Sequence, residues 1–284
     1  MKMKGIDVST FQGAINWSRV KTSGIEFAML RGGYGRSVID DRFIQNYNAC
    51  KNTGIPVGVY HYSYAITSAR AKEEANFVIS YLKGKQFEFP IAFDIEDKTQ
   101  INLSKRTLTS ICKTFCDTLE NAGYYVVIYS SKSFLLNKLD LTKLSKYDIW
   151  VAQWNEKCDF PYPYGMWQFS DAGRMAGITG NVDLDYAFKN YPSIIKKAGL
   201  NGFRKTGSTS DVLVKGQKVK LNHALIYTSS TTTKSNCCLN GTYYLYDGVN
   251  SKGRYRITNS LINCGRMPMS LYVTGWVNKK DIIV

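Results

Sequence analysis

Short apolar runs of strand length recur through the first two thirds of the chain, at residues 5–9, 27–32, 56–64, 90–96, 124–130, 148–154, 165–169 and 182–187. Between many of them the apolar positions change to a helical period, over 16–23, 41–53, 69–83, 104–122 and 133–139. Gly54, Gly84 and Gly123 stand where helix C-termini favour the left-handed backbone, and Ser68 and Ser104 are placed to cap helix N-termini. Eight strands with intervening helices predict a parallel β/α barrel, tightly connected and short of helices late in its course. An open doubly wound sheet is the competing arrangement. No glycine-rich phosphate loop follows the first strand, which disfavours a nucleotide-binding version of it.

Past about residue 198 the pattern changes. Residues 199–211 are rich in glycine and hydroxyls without an apolar period, which predicts a linker between a first domain, 1–198, and a second, 212–284. The second holds only short strand-like runs (217–222, 224–228, 241–246, 254–258 and 270–277) broken by Asn, Gly and Ser, so it is expected to be a small all-β barrel without helices.

At 284 residues and 44% hydrophobic the chain can bury one large core and one small one. No apolar stretch approaches the ~18 residues of a membrane-spanning helix, and no membrane partner is expected. The start, Met1-Lys2-Met3-Lys4, leads directly into the first strand without an apolar leader, which predicts synthesis in a cytoplasm. Seven cysteines, an odd number, match neither a disulfide framework nor a zinc ribbon, and Cys112 and Cys116 read as buried thiols on one face of a helix. Only two histidines, His61 and His223, are present, which disfavours a His-based triad or a His-rich metal site.

The formal net charge is +15 and uneven: residues 204–284 hold 12 Lys and Arg against 3 Asp and Glu, residues 1–203 hold 25 against 19. A basic tail suits an anionic partner such as nucleic acid, a membrane surface or a wall polymer, and equally plain solubility. No recognised single-strand motif accompanies the charge, so nucleic acid is not the expected partner.

The candidate chemistry centres on 90–97, an apolar strand that ends in acids. Alternation places Asp94 and Glu96 on one face, their Cα atoms roughly 6.6–6.8 Å apart. Two close carboxylates leaving a buried strand raise each other's pKa, as a general acid requires; acids fraying into solvent are the plainer reading of the same pair. In a parallel barrel functional residues gather at the C-terminal strand ends. Those ends hold Asp7, Tyr60 and Tyr62, Asp94 and Glu96, Tyr129, Gln153-Trp154, Trp167-Gln168, and on the last strand Asp183 and Asp185. Core packing accounts for any one of the aromatics; their convergence with acids on one mouth points to a sugar site.

Four segments carry a resemblance: Asp7-Val8-Ser9-Thr10-Phe11-Gln12-Gly13, Asp94-Ile95-Glu96, Trp167-Gln168-Phe169-Ser170 and Gly180-Asn181-Val182-Asp183-Leu184-Asp185. In this order, over about residues 4–192, the chain resembles glycoside hydrolase family 25, lysozymes that cut between N-acetylmuramic acid and N-acetylglucosamine. The resemblance implies an irregular TIM-like (β/α) barrel, no cofactor or metal, bacterial peptidoglycan of a Gram-positive wall as substrate, and a site of Asp7, Asp94, Glu96 and Asp183. Glu96 is then the general acid. Asp94 either orients the substrate's acetamido group or stabilises an oxocarbenium-like transition state directly. Tyr62, Tyr129, Gln153, Trp154 and Gln168 are implied substrate contacts. Asp185 departs from the family pattern, where Asn is more often expected.

The ending Gly275-Trp276-Val277-Asn278-Lys279-Lys280 is similar to the close of bacterial SH3-like wall-binding domains. Tyr243, Tyr244, Tyr246, Tyr255, Tyr272 and Trp276 would suit a wall ligand. One wall-cutting and one wall-binding domain resemble a phage endolysin, held in the host cytoplasm until a separate pore protein releases it. Two alternatives keep the same residues: a non-catalytic wall-carbohydrate-binding barrel, and a metal-dependent hydrolase whose carboxylates hold Mg²⁺ or Ca²⁺.

Overall fold

In a computed structural model of the chain, which describes residues 2–204 and 213–283, each of the eight apolar runs of the first domain is a strand: β1 (Met3–Val8), β2 (Phe27–Tyr34), β4 (Val57–Tyr62), β5 (Ile91–Asp94), β6 (Val126–Ser131), β7 (Asp148–Ala152), β8 (Met166–Gly173) and β9 (Val182–Ala187). They pair in the order β1-β9-β8-β7-β6-β5-β4-β2, and β1–β2 pairing closes the ring. A short strand β3 (Val38–Ile39) folds back antiparallel on β2. The open doubly wound alternative is thereby excluded.

The barrel is not wholly parallel. β9 runs antiparallel to both its neighbours. Residues 174–181 alone join it to β8, and a parallel return needs a crossover of a dozen or more residues. The reversal has a functional consequence: the first residues of β9, not its last, reach the mouth where the other strands end, and Asp183 pairs opposite Asp7.

Helices α1 (Trp17–Thr22), α2 (Phe43–Thr53), α3 (Ser68–Leu82), α4 (Lys105–Asn121) and α5 (Lys132–Lys138) follow the predicted periods. In α4, Leu108, Ile111, Cys112, Phe115, Cys116 and Leu119 recur at helical spacing and are all buried, so both cysteines are core thiols. Phe115 stacks on Phe93 of β5 with ring centroids 4.1 Å apart, and burying such a ring is worth about 1.5–3 kcal/mol. Ser104 caps α4 as its spacing predicts, whereas α3 is capped by Thr67, one residue ahead of Ser68.

A sixth helix, α6 (Tyr191–Ala198), lies outside the helical periods read from the sequence, although Asn190 caps its start, Pro192 stands in its first turn and Gly199 ends it. Its Tyr191 and Ile195 close the barrel interior against Phe27, Phe89 and Met166. Residues 199–203, read as linker, belong to the barrel unit: buried Asn201 donates to the carbonyls of Phe87 and Phe89 and accepts from the Tyr125 amide. The chain divides into compact units Met1–Thr206 and Gly207–Val284. The rest of the predicted linker, 205–211, lies outside the described residues.

Inside the barrel there is no spare volume at Gly58 of β4. A Cβ there would lie 2.7 Å from the Pro90 carbonyl oxygen and 2.4 Å from the Met29 sulfur. Because one of these is backbone, Gly58→Ala is expected to destabilise the protein by about 1–3 kcal/mol, read as a lower urea midpoint with unchanged slope.

The second unit is all-antiparallel: β10 (Lys218–Tyr227), β11 (Cys237–Leu245), β12 (Arg254–Thr258), β13 (Gly275–Asn278) and β14 (Ile282–Ile283), ordered β11-β12-β13-β10-β14 with β10 also paired to β11. The runs 217–222 and 224–228 are one strand, β10, bulged at His223, whose φ is 49°. A single helical turn at Met269–Tyr272, where none was expected, replaces the start of the last predicted strand. Tyr246 and Tyr255 are buried, so they pack the fold and do not face a ligand.

Candidate active site

Strand register builds the site. Tyr62, Asp94 and Tyr129 lie in one row across β4, β5 and β6, while Asp7 and Asp183 face each other across β1 and β9. Each chain emerges at the same barrel mouth, around a cavity of about 160 Å³. Lining it are all four expected acids, Asp7, Asp94, Glu96 and Asp183, together with the expected Tyr62, Tyr129 and Gln168.

Two expected contacts stand elsewhere. Gln153 does not line the cavity; its amide is engaged with Asp159 at the surface. Trp154 is also absent from the lining, but its indole N–H donates to Gln168 Oε1 at 3.0 Å, so it steadies a residue that does line it. Strand alternation could not foresee either, because β7 ends at Ala152 and both residues lie beyond it.

Arg31, Trp150, Ser9, Phe11 and Gln12 line the cavity without having been singled out as site residues, and Tyr60, noted at its strand end, lines it too. The signal for Arg31 was present: like Asp94, it is the first charge after a buried apolar run, Phe27–Leu30. Arg31 is held by Asp40 through Nε–Oδ2 at 2.8 Å. Its guanidinium lies 4.8 Å from the ring centre of Phe11, which is 82% exposed. A large apolar ring left this exposed at a cavity rim is a surface for a ligand to cover. Phe11 sits on a 3₁₀ turn, Thr10–Gln12, fixed by a reciprocal cap: Ser9 Oγ accepts from the Phe11 amide and Gln12 Oε1 accepts from the Ser9 amide.

Hydrogen bonds then order the acids. Tyr129 donates its hydroxyl to Gln168 Oε1 at 3.0 Å, and Gln168 Nε2 donates to Asp7 Oδ2 at 2.7 Å. Asp7 faces Asp183 across β1 and β9, and Asp185 stands close enough to act on it as a second carboxylate, so the three disfavour one another's charge. Asp185, fully buried, accepts from the Trp150 indole at 2.9 Å. It is the support behind the cavity and not part of its wall.

Electrostatics follow from this burial. Asp7 and Asp185 are pushed well above the usual carboxylate range by burial first, then by neighbouring carboxylates. Burial likewise lifts Asp183 to about 6. Asp94 is raised well above its ordinary value by burial and then by Glu96, with Arg31 pulling the other way. Glu96 is raised by burial, then by Asp183 and Asp97. Asp97 is the exception: Thr99 and Tyr62 hydrogen bonds hold it below the ordinary range, so it remains a fixed negative charge beside the pair.

One atom stands out. Asp94 Oδ1 is buried and has no hydrogen-bond partner. A buried acceptor left unmade costs about 1–3 kcal/mol, more if charged, so the site holds an acceptor that a bound donor would satisfy. The arrangement offers protonatable acids, a buried acceptor and an exposed ring, which together suit acid-assisted cleavage at a sugar.

Comparison with known proteins agrees with this chemistry. The chain is 29% identical over 184 residues to the autolytic lysozyme of Clostridium acetobutylicum, covering 64% of this chain and 55% of that protein. It is 32% identical over 197 residues to lysozyme M1 of Streptomyces globisporus, covering 64% of this chain and 66% of the relative. Among solved structures, the CTP1L endolysin superposes with a TM-score of 0.62 at 27% identity, over 68% of this chain and 69% of that one. This chain thus spans little more than half of the Clostridium relative. The sequence model of the Glycosyl hydrolases family 25 matches residues 6–178, a segment that contains Asp7, Asp94 and Glu96 and ends before β9. With the closed barrel and its acid-lined mouth, that match makes the chain a member of glycosyl hydrolase family 25.

Proposed function

We propose that the chain is an N-acetylmuramidase, hydrolysing the β-1,4 bond between N-acetylmuramic acid and N-acetylglucosamine in bacterial peptidoglycan. The observation that carries this reading is the unpartnered Oδ1 of Asp94 beside the protonatable Glu96. N-acetyl sugars bring an amide N–H next to the anomeric carbon. Accepting it satisfies Asp94, and with Arg31 nearby favours its ionised form. The pair's remaining proton then resides on Glu96, the acid that protonates the leaving glycosidic oxygen. Asp94, now negative, aligns the acetamido oxygen for attack or faces the developing oxocarbenium ion. Asp7 and Asp183, both raised in pKa by burial, keep the surrounding charge low, and the exposed Phe11 and half-buried Tyr62 offer flat surfaces to sugar rings.

The second unit is proposed to be an SH3-like wall-binding domain, which would raise the barrel's effective concentration at an insoluble substrate. A cavity lined by Tyr227, Arg256 and Trp276, with the Arg256 guanidinium 4.4 Å from the Trp276 ring centre, supports a ligand-binding role. The likeness to the CTP1L endolysin supports an endolysin role; holding in the host cytoplasm until a pore protein releases it is part of the same proposal.

The metal-dependent alternative gains no support: among the described residues no set of three or more His, Cys, Asp or Glu side chains is arranged to hold a metal ion. The deciding assay digests isolated Gram-positive walls with and without EDTA. New reducing ends on N-acetylmuramic acid, released equally in both, are expected. Free amines in their place, or activity lost to EDTA, would overturn the muramidase reading.

A further inference from the structure

A second cavity, of about 450 Å³, opens on the barrel unit beside the first. It is lined by Tyr34, Arg36, Tyr64, Ile66, Arg70 and Glu74, among others. Two aromatic steps connect the cavities. Tyr62, in the first, meets Tyr64, in the second, edge to face at 5.3 Å. Arg31, in the first, lies 5.5 Å from the ring centre of Tyr34, in the second, and Tyr34 meets Tyr64 at 6.2 Å. The two cavities are therefore neighbours, separated by touching side chains of their own walls.

The chemistry of the two ends differs. The first cavity is dominated by acids, while the second presents two guanidinium groups. Arg70 is exposed in the first turn of α3, which contains no acidic residue. Arg36 pairs with Glu73 at 3.1 Å, but with both side chains about half exposed such a pair is worth ~0–1 kcal/mol and yields readily to another carboxylate. Glu74, the one buried acid of the cavity, has Oε1 accepting from the Tyr64 amide at 3.1 Å, while Oε2 is turned inward, 3.7 Å from the buried His61 and without a hydrogen bond. Its bond to the amide fixes the backbone that presents the Tyr64 ring. Exposed Tyr64 and Ile66 give the cavity apolar walls.

We propose that this cavity takes the acidic peptide branch of the substrate, Arg36 and Arg70 pairing with its carboxylates. This rests on the muramidase reading and extends it. A glycan of N-acetyl sugars is uncharged once its muramyl carboxyl is amide-linked to peptide, so paired guanidinium groups have no partner on the sugar chain. Carboxylates lie on the peptide, and the peptide leaves from the same muramic residue whose bond is cut. A guanidinium fork matches a carboxylate in charge and in geometry.

The test compares intact peptidoglycan with the same glycan stripped of peptide by an amidase, which leaves only the lactyl carboxylate on the sugar. In the double variant Arg36→Ala/Arg70→Ala, kcat/KM on intact peptidoglycan should fall by about tenfold through KM, with a change below about twofold on stripped glycan. Both side chains are exposed, so thermal unfolding should match wild type. As an independent measurement, KM of the wild type should rise more steeply with salt on the intact substrate than on the stripped one, which keeps only the lactyl carboxylate. An equal loss on both substrates, or none on either, would overturn the peptide assignment while leaving the muramidase reading intact. A wild type inactive on both would instead overturn the muramidase reading, and the peptide subsite with it.

Discussion

Glu96→Gln should lower kcat/KM on peptidoglycan by about 10²–10⁴-fold, the usual contribution of a positioned general acid. Glutamine keeps the shape and removes the transferable proton. Because burial and the carboxylates of Asp183 and Asp97 already disfavour the charge on Glu96, a neutral replacement should cost the fold nothing. Activity should therefore collapse while the thermal midpoint holds or rises. The wild-type pH profile supplies a second reading. The raised pKa of Glu96 places the alkaline fall in kcat/KM above the ordinary carboxylate range, and the variant's residual activity should lack that limb. A variant that retains activity within tenfold of wild type would remove Glu96 from the role of acid.

Asp183→Asn should stabilise the protein at neutral pH, by on the order of 1–2 kcal/mol once the shift is discounted for partial exposure. Folding lifts the Asp183 pKa from 3.8 to about 6. The folded chain therefore holds this proton more tightly than the unfolded chain does. Its contribution to stability is fully present below pH 3.8 and is lost as pH rises through 6. Asparagine imitates the protonated form at every pH. Urea unfolding should consequently show a gain for the variant at pH 7 and little difference at pH 3.5. Equal or lower stability at pH 7 would show that the ionised carboxylate, opposite Asp7, itself supports the fold. The same substitution should reduce activity, since it changes the charge facing Glu96. Stability withheld at this mouth is the cost of holding several acids close together.

Much of this was legible in the chain. Strands β4, β5, β6 and β7 show as apolar runs because helices cover their outward faces and their inward faces pack on one another, whereas β8 and β9, with no helix between them, keep half-exposed polar positions. Strand alternation correctly aligned Asp94 with the mouth, and the barrel's habit of exposing its strand ends gathered Asp7, Tyr62, Tyr129 and Gln168 with it. Arg31 was legible in part, as the first charge after the buried run Phe27–Leu30 within β2. Gln153 was misplaced for a definite reason: strand geometry stops at Ala152, and beyond it the side chain follows a local bond to Asp159.

By itself the sequence determined where the eight barrel strands and helices α1 to α5 lie and which acids stand near the barrel mouth, since periodicity and burial are local properties of the pattern. Only the tertiary structure decided the direction of β9, because a short connection constrains the return of a strand in ways that side-chain pattern does not record. The same is true of the plug formed by α6, the lodging of Asn201 in the barrel wall, and the gathering of Asp7, Asp183 and Asp185 across β1 and β9. Each depends on residues distant in the chain meeting at a set distance, and the orphaned Oδ1 of Asp94 is defined only by what surrounds it.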